Sequence, residues 1–437
     1  MKSDRRAFLA SLGAAGALAA CSANRLVPNL GGNGAASAAD NLWHPHAGKL
    51  LPFQIINQTG YADSDIWFYV VGNLTPDTAT KRYPNYHLVN AKTGAVAPNA
   101  SKDVVNGYAD YSINLATGTT KGAMMLPSMD GGCRMYFSIK SKLKITLGAD
   151  AYHVAGSPDG WSPDSVNYKT IFDFMEFVNL PANPVTGFNG NLSQVDFTGI
   201  PMMLQVFGSD VPGGSETSGF RAGARTKIFN AIKANAAFKN LVIPGAGGDL
   251  RALAPNFGVT FKRLSATYLN PYINDIWTYY KTHKLTTAGA AEGVVYVGSV
   301  GANGLFSFTS KGKPTISFKK PTTESVFRLD FPPICTGGGC PVQANEIRGA
   351  FPAAINRGIL LQKGQGDFLP IGTATAACTA AVKNQFKAPL CNFYGKAIVD
   401  NAIGGKAYWG GTADVCSQSS LVVSRKPTKA VITLVKF

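Results

Sequence analysis

Charge is scarce in this chain. Only 15% of its 437 residues are Asp, Glu, Lys or Arg, too few for a disordered polyelectrolyte or a coiled coil. Long apolar runs are missing too. The small apolar stretch from Ala7 to Ala20 is too short to cross about 30 Å of hydrocarbon as a stable helix, and a multi-pass membrane protein is excluded. Histidine occurs five times, at positions 44, 46, 87, 153 and 283, and only His44 and His46 are close together. With no H-E-x-x-H, no paired C-x-x-C and no carboxylate-rich calcium loop, the chain offers no metal-enzyme pattern and implies no cofactor. It also lacks a G-x-S-x-G elbow. Gly245-Ala246-Gly247-Gly248 follows an apolar Leu-Val-Ile but has no P-loop lysine, and it reads as a turn. Basic runs in the body are no longer than Lys319-Lys320, and no helix with one basic face is apparent, which argues against nucleic-acid binding.

What is present points to β structure. The chain carries 25 Phe, 16 Tyr, 48 glycines and 25 prolines among Val, Thr and Ser runs, the balance of a loop-rich, mainly β protein. Lys+Arg outnumber Asp+Glu by 41 to 25, a net charge of +16 that suits an anionic surface without choosing one. Short alternating segments recur from Leu51 to about Phe207, among them Phe53 to Asn57, Ile66 to Val71, Met135 to Ile139 and Ile171 to Val178. The period then changes. Ile228, Phe229, Ile232 and Phe238, and then Tyr268, Tyr272, Ile273, Ile276, Trp277 and Tyr280, fall at near-helical spacing. Three short strands follow, around Val294 to Val297, Leu305 to Phe308 and Ile316 to Lys319, and Ala430 to Val435 reads as a closing strand. The resulting organisation is a β domain, 45–207 and 326–437, interrupted by an α/β insertion at 208–325.

Residues 1–20 read as an export signal. Arg5-Arg6 resembles the pair of a twin-arginine leader, and Leu18-Ala19-Ala20-Cys21 resembles a lipobox whose cysteine receives diacylglycerol; an ordinary leader with a chance cysteine is the alternative. Residues 21–44 form a Gly-, Ala-, Asn- and Ser-rich tether with a reach of roughly 25 Å. The expected location is outside the cytoplasm, as an envelope lipoprotein (periplasmic or surface-exposed) or a secreted protein, with membrane contact only through lipid on Cys21. Beyond Cys21 there are six cysteines, an even number that in an exported chain points to disulfides. Close spacing suggests 335 with 340 and 378 with 391, leaving 133 with 416, one of fifteen connectivities.

Carboxylates are the remaining chemical resource. Of five glutamates, only Glu176 lies in a strong β pattern. Period two puts it on the face of Phe172, Phe174 and Val178, with Asp173 opposite. An isolated acid among apolar neighbours is desolvated, which disfavours its charged form and suits a general acid. Asp196 shares its face with Gln194 and Thr198, polar company that favours an ionised base. Antiparallel pairing across the connection Asn179 to Leu192 would set both acids on one face. A protonated acid and an ionised base are what inverting glycoside hydrolysis requires. The bland alternative is a pair of solvated or salt-bridged surface acids.

At these residues the sequence resembles glycoside hydrolase family 64, the thaumatin-like endo-β-1,3-glucanases that release short laminari-oligosaccharides with inversion. The likeness runs in order through Leu51-Pro52-Phe53-Gln54-Ile55-Ile56-Asn57, Ser193-Gln194-Val195-Asp196, Tyr272 to Trp277, Phe318 to Pro321 with Ser325-Val326-Phe327, and Gly405-Lys406-Ala407-Tyr408. The resemblance implies Glu176 as general acid and Asp196 as general base. It also implies a thaumatin-like β-sandwich or barrel domain plus a mixed α/β domain flanking a wide groove for β-1,3-glucan, in a monomeric enzyme. Thr170, Asn179, Asn191 and Ser193 lie near the acids as binders of sugar hydroxyls or as plain turn and strand residues. The sequence departs from the family pattern in a longer connection bearing Pro181 and Pro184, and in Asn189 where a tryptophan is expected. Trp161 and Tyr168 are alternative sugar platforms or core residues. Against the hydrolase stand a non-catalytic polysaccharide-binding lipoprotein of the cell surface and, third, a structural envelope protein.

Overall fold

Leu51, Phe53 and Ile55 are buried while Pro52 and Ile56 face outward, the alternation of a strand with one face on a core. The computed structural model describes residues 50–73, 85–148, 158–363, 366–372, 376–410 and 415–437. The leader, Cys21, the 21–44 tether, His44 and His46 lie outside the described residues. The chain divides into two units, one made of residues up to 192 with 200–218 and 421–437, the other of 193–199 with 219–420.

The first unit is built from two sheets. One has the strand order Ser215–Gly219, Met202–Gly208, Pro427–Leu434, Leu51–Asn57, Ala123–Leu126. Pro427–Leu434 sits at its centre, parallel to Leu51–Asn57 and antiparallel to Met202–Gly208. The other sheet runs Val422–Ser424, Gly187–Leu192, Ile171–Leu180, Met129–Ile139, Ile66–Asn73, Asn85–Asn90, Ala95–Pro98, with Ile113–Asn114 added beside Ile66–Asn73. Both sheets send side chains into one core, where Phe53 and Ile432 join Phe137 and Phe177. Each such side chain contributes about 1.5–3 kcal/mol by leaving water. Gly187 turns the chain into its strand at φ +58°, and a Cβ there would lie 2.1 Å from the Ser424 carbonyl oxygen, so only glycine fits this turn.

The second unit mixes helices with a six-stranded sheet, ordered Ile334–Thr336, Thr315–Phe318, Phe306–Thr309, Val297–Val300, Leu285–Ala288, Phe368–Pro370. A smaller sheet pairs Phe197–Thr198 with Gly248–Leu253, and that strand with Val242–Gly245. The two helices foreseen from periodicity are Ala224–Ala234 and Asn270–Tyr279, burying Ile228, Phe229 and Ile232 and Tyr272, Ile273, Ile276 and Trp277 respectively. A longer helix, Val342–Arg357, carries Phe351, whose ring lies 4.8 Å from Phe306, 5.5 Å from Phe331 and 5.8 Å from Trp277. Its end is set by Gly358 at φ 63°, the left-handed cap that frees the chain to turn away.

Two expectations are corrected here. The α/β body does not end at 325: residues 326–420 belong to the second unit, and only 421–437 returns to the β unit. Phe331 and Phe351 pack on the six-stranded sheet, which the cysteine count of that stretch did not reveal. The disulfides also differ. Cys335 pairs with Cys340, but Cys378 pairs with Cys416, across a Cα separation of 5.3 Å. Cys133 and Cys391 are buried and free. Nearness along the chain misled the pairing: Cys391 packs under Gly358, while Cys416 lies beside the helix Ala376–Asn384 that bears Cys378.

Candidate active site

Glu176 sits in the strand Ile171–Leu180, whose Met175 and Phe177 enter the core, so period two turns Glu176 to the opposite face. Its cross-strand neighbours are Arg134 on one side and Asn191 on the other. Arg134 donates from Nε at 3.2 Å and from Nη2 at 3.0 Å, both to Glu176 Oε1. A third bond runs from Arg134 Nη1 to the Tyr136 hydroxyl at 3.4 Å, and the guanidinium lies 4.7 Å from the centre of the Phe174 ring. The side chains of Arg134 and Glu176 are 19% and 23% exposed.

Glu176 is therefore not the isolated acid in an apolar setting that alternation along its own strand suggested. The reason is register. Alternation fixes the face of a side chain, but the residue opposite comes from a strand 42 positions earlier. Arg134 is thus a residue that the sequence reading missed, and no local pattern marks it.

Asp173 points the other way, as expected: it is fully buried, its Oδ1 accepting the Phe174 N–H and its Oδ2 the Ile200 N–H. Asn179 shares that inward side, with Nδ2 donating to the carbonyls of Leu126 and Pro127 at 3.2 and 2.8 Å. It ties strands together inside the unit and does not accompany Glu176. Asn191 does, directly opposite, and its Oδ1 is buried with no hydrogen-bond partner among the described residues. Asn189 stands one pair further along the same face, opposite Val178, its Nδ2 on the Thr186 carbonyl. Trp161 and Tyr168 are half-buried in the run of turns before the strand, Trp161 donating its backbone N–H to Asp159 Oδ1. Thr170 is buried, with its N–H on the Asn167 carbonyl.

Asp196 belongs to the other unit. The strand that follows Ile171–Leu180 and pairs antiparallel with it is Gly187–Leu192, which ends before Asp196, so the two acid-bearing segments are not paired as expected. Instead residues 193–199 are fastened within the second unit. Ser193 forms a parallel bridge with Tyr408, the Gln194 N–H donates to the Tyr408 carbonyl at 2.8 Å, and the Tyr394 hydroxyl donates to the Gln194 carbonyl at 2.7 Å. The Asp196 carbonyl accepts the Ala254 N–H at 2.9 Å, and Phe197 and Thr198 pair with Leu253 and Ala252. Gln194 and Thr198 are buried beside a half-buried Asp196. The Ser193 Oγ and Gln194 Oε1 are buried without a partner among the described residues. Among the described residues no group of three or more His, Cys, Asp or Glu is placed to share a metal ion.

The chain is similar to several known proteins. It is 24% identical over 324 residues to a glucan endo-1,3-β-glucosidase of Cellulosimicrobium cellulans, a match covering 71% of this chain and 53% of that protein. The chain thus spans about half the length, 53%, of the curated relatives it matches. A crystal structure of a laminaripentaose-producing β-1,3-glucanase in complex with laminaritetraose superposes with a TM-score of 0.71 at 26% identity, over 89% of this chain and 99% of that one. A β-1,3-glucanase domain from Clostridium beijerinckii shares the fold at a TM-score of 0.69 and 23% identity, over 89% and 98%. The family model described as β-1,3-glucanase matches residues 49–434, nearly all of both units. By that match the chain belongs to glycoside hydrolase family 64.

Proposed function

We propose that the protein is an inverting endo-β-1,3-glucanase that cuts β-1,3-glucan of the laminarin or curdlan type into short oligosaccharides. The observation that carries this reading is the family match across residues 49–434, together with the likeness to an enzyme that holds laminaritetraose. Glu176 acts as general acid and Asp196 as general base. Asp196 takes a proton from water as the water oxygen bonds to the anomeric carbon, the glycosidic C–O bond breaks, and Glu176 delivers its proton to the departing oxygen. Arg134 holds Oε1 by two bonds, which fixes the direction in which the carboxyl points. Asn191, directly across the strand pair from Glu176, and Ser193, near Asp196 in the chain, are the residues we assign to sugar hydroxyls. The Arg5-Arg6 leader and Cys21 support export and a lipid anchor on a monomeric enzyme.

Glu176→Gln and Asp196→Asn should each lower release of reducing sugar from soluble β-1,3-glucan by about 10²–10⁴-fold, the usual worth of a general acid or base. Circular dichroism should be unchanged, and proton NMR of the first product should show the α-anomer. The Arg134–Glu176 ion pair favours one rival, since pairing is also what a structural glutamate does: a cell-surface lipoprotein that binds polysaccharide without cutting it. Protein that retains glucan, never shortens it and is indifferent to both substitutions would establish that rival.

A further inference from the structure

Besides its backbone bonds, the Ser193–Gly199 segment that carries Asp196 is held by side chains at both ends: Arg225 Nε donates to the Gly199 carbonyl at 2.7 Å, and on the side before Asp196 a tyrosine grips the Gln194 carbonyl. That tyrosine is Tyr394. Its ring is fully buried on the short helix Phe393–Val399, and its hydroxyl donates to the Gln194 carbonyl at 2.7 Å. The helix is itself fixed from behind. Asn392 caps it by accepting the Gly395 N–H at 2.9 Å, and Asn392 Nδ2 donates to Asn356 Oδ1 at 3.0 Å. Asn356 in turn donates to the Val326 and Pro352 carbonyls, both at 3.0 Å. The next residue of the helix, Gly395, lies so close to Trp409 that a Cβ would stand 2.8 Å from its ring. Trp409 follows Tyr408, whose carbonyl receives the Gln194 N–H. One helix therefore supports both peptide planes that flank Gln194, two residues before the proposed base.

We infer that Tyr394 is a positioning residue for Asp196: its hydroxyl holds the peptide plane after Gln194, and with the Ala254 bond to the Asp196 carbonyl this sets where the carboxylate points. The inference rests on the hydrolase reading above. Displacement of a reacting group by about 1 Å can cost roughly a hundredfold in rate. Because the backbone bonds on both sides persist, removing the hydroxyl alone should cost about tenfold.

The test is Tyr394→Phe in the full chain, which keeps the ring and its packing. On soluble β-1,3-glucan the variant should lose about tenfold in kcat with a smaller change in KM, because Ser193 at the head of the segment keeps its own bridge to Tyr408. Hydrogen–deuterium exchange should quicken by about threefold or more in the peptide covering 193–199 and stay as in wild type elsewhere. An unchanged kcat overturns the inference, and so does faster exchange spread over the whole second unit, which would mean general loosening. An active wild type with an indifferent Tyr394→Phe overturns the positioning role and leaves the hydrolase standing. A wild type that leaves β-1,3-glucan uncut overturns both.

Discussion

His87 lies buried against Tyr111, their rings 3.8 Å apart and nearly parallel, with Nδ1 3.0 Å from Asn99 Oδ1. The Tyr111 hydroxyl donates to Asp103 Oδ2 at 3.0 Å. Burial pushes the imidazole below its ordinary pKa by more than Asn99 and Asp103 raise it. A group whose folded pKa is depressed contributes stability above its unfolded pKa, near 6.5 for histidine, and that contribution is lost as pH falls through the folded value. The urea midpoint of the wild type should therefore fall between pH 7 and pH 5 more steeply than that of His87→Gln, which has no proton to take up there. The proposed site shows what single residues disclose. That Glu176 and Asp173 lie on opposite faces of their strand, and that Asp196 has polar company, follow from period two and could be read directly. The Arg134 partner could not, since register between distant strands is written in neither strand alone. Nor could the grip of Tyr394 on a carbonyl 200 positions earlier, because a tyrosine in a short helix carries no mark of what its hydroxyl reaches.

Among elements, the helix Ala376–Asn384 and the turn Val415–Ser417 are joined by Cys378–Cys416, closing a loop of 38 residues. A loop of that length restricts the unfolded chain by about 4 kcal/mol, against about 2 kcal/mol for the five-residue loop of Cys335–Cys340. Replacing Cys378 and Cys416 by Ser should lower unfolding stability by about 4 kcal/mol in guanidinium titrations. Replacing Cys335 and Cys340 should cost about half as much. An equal effect of both pairs would count against the loop-length account. The helices Ala224–Ala234 and Asn270–Tyr279 were legible because strong apolar stripes at 3.6-residue spacing survive in them. Val342–Arg357 was not: alanines, a mid-helix Pro352 and burial around much of its circumference erase the stripe that periodicity needs.

At the scale of the whole molecule, the β unit depends on a strand far along the chain from the rest of its sheet. Pro427–Leu434 stands between Leu51–Asn57 and Met202–Gly208, and it supplies Ala430, Ile432 and Leu434 to the core. Ending the chain at residue 426 should leave two unpaired sheet edges and an open core. The β unit should then lose its cooperative unfolding transition and the protein should partition into the insoluble fraction on expression. Soluble, cooperatively unfolding truncated protein would contradict this. The same arrangement reaches back to the moment of synthesis. The strand that belongs in the middle of the sheet is made long after both of its neighbours, so the nascent chain exposes Leu51–Asn57 and Met202–Gly208 until Pro427–Leu434 has emerged from the ribosome. The β unit cannot close before that point, and the segments made earlier have to be kept from aggregating while they wait.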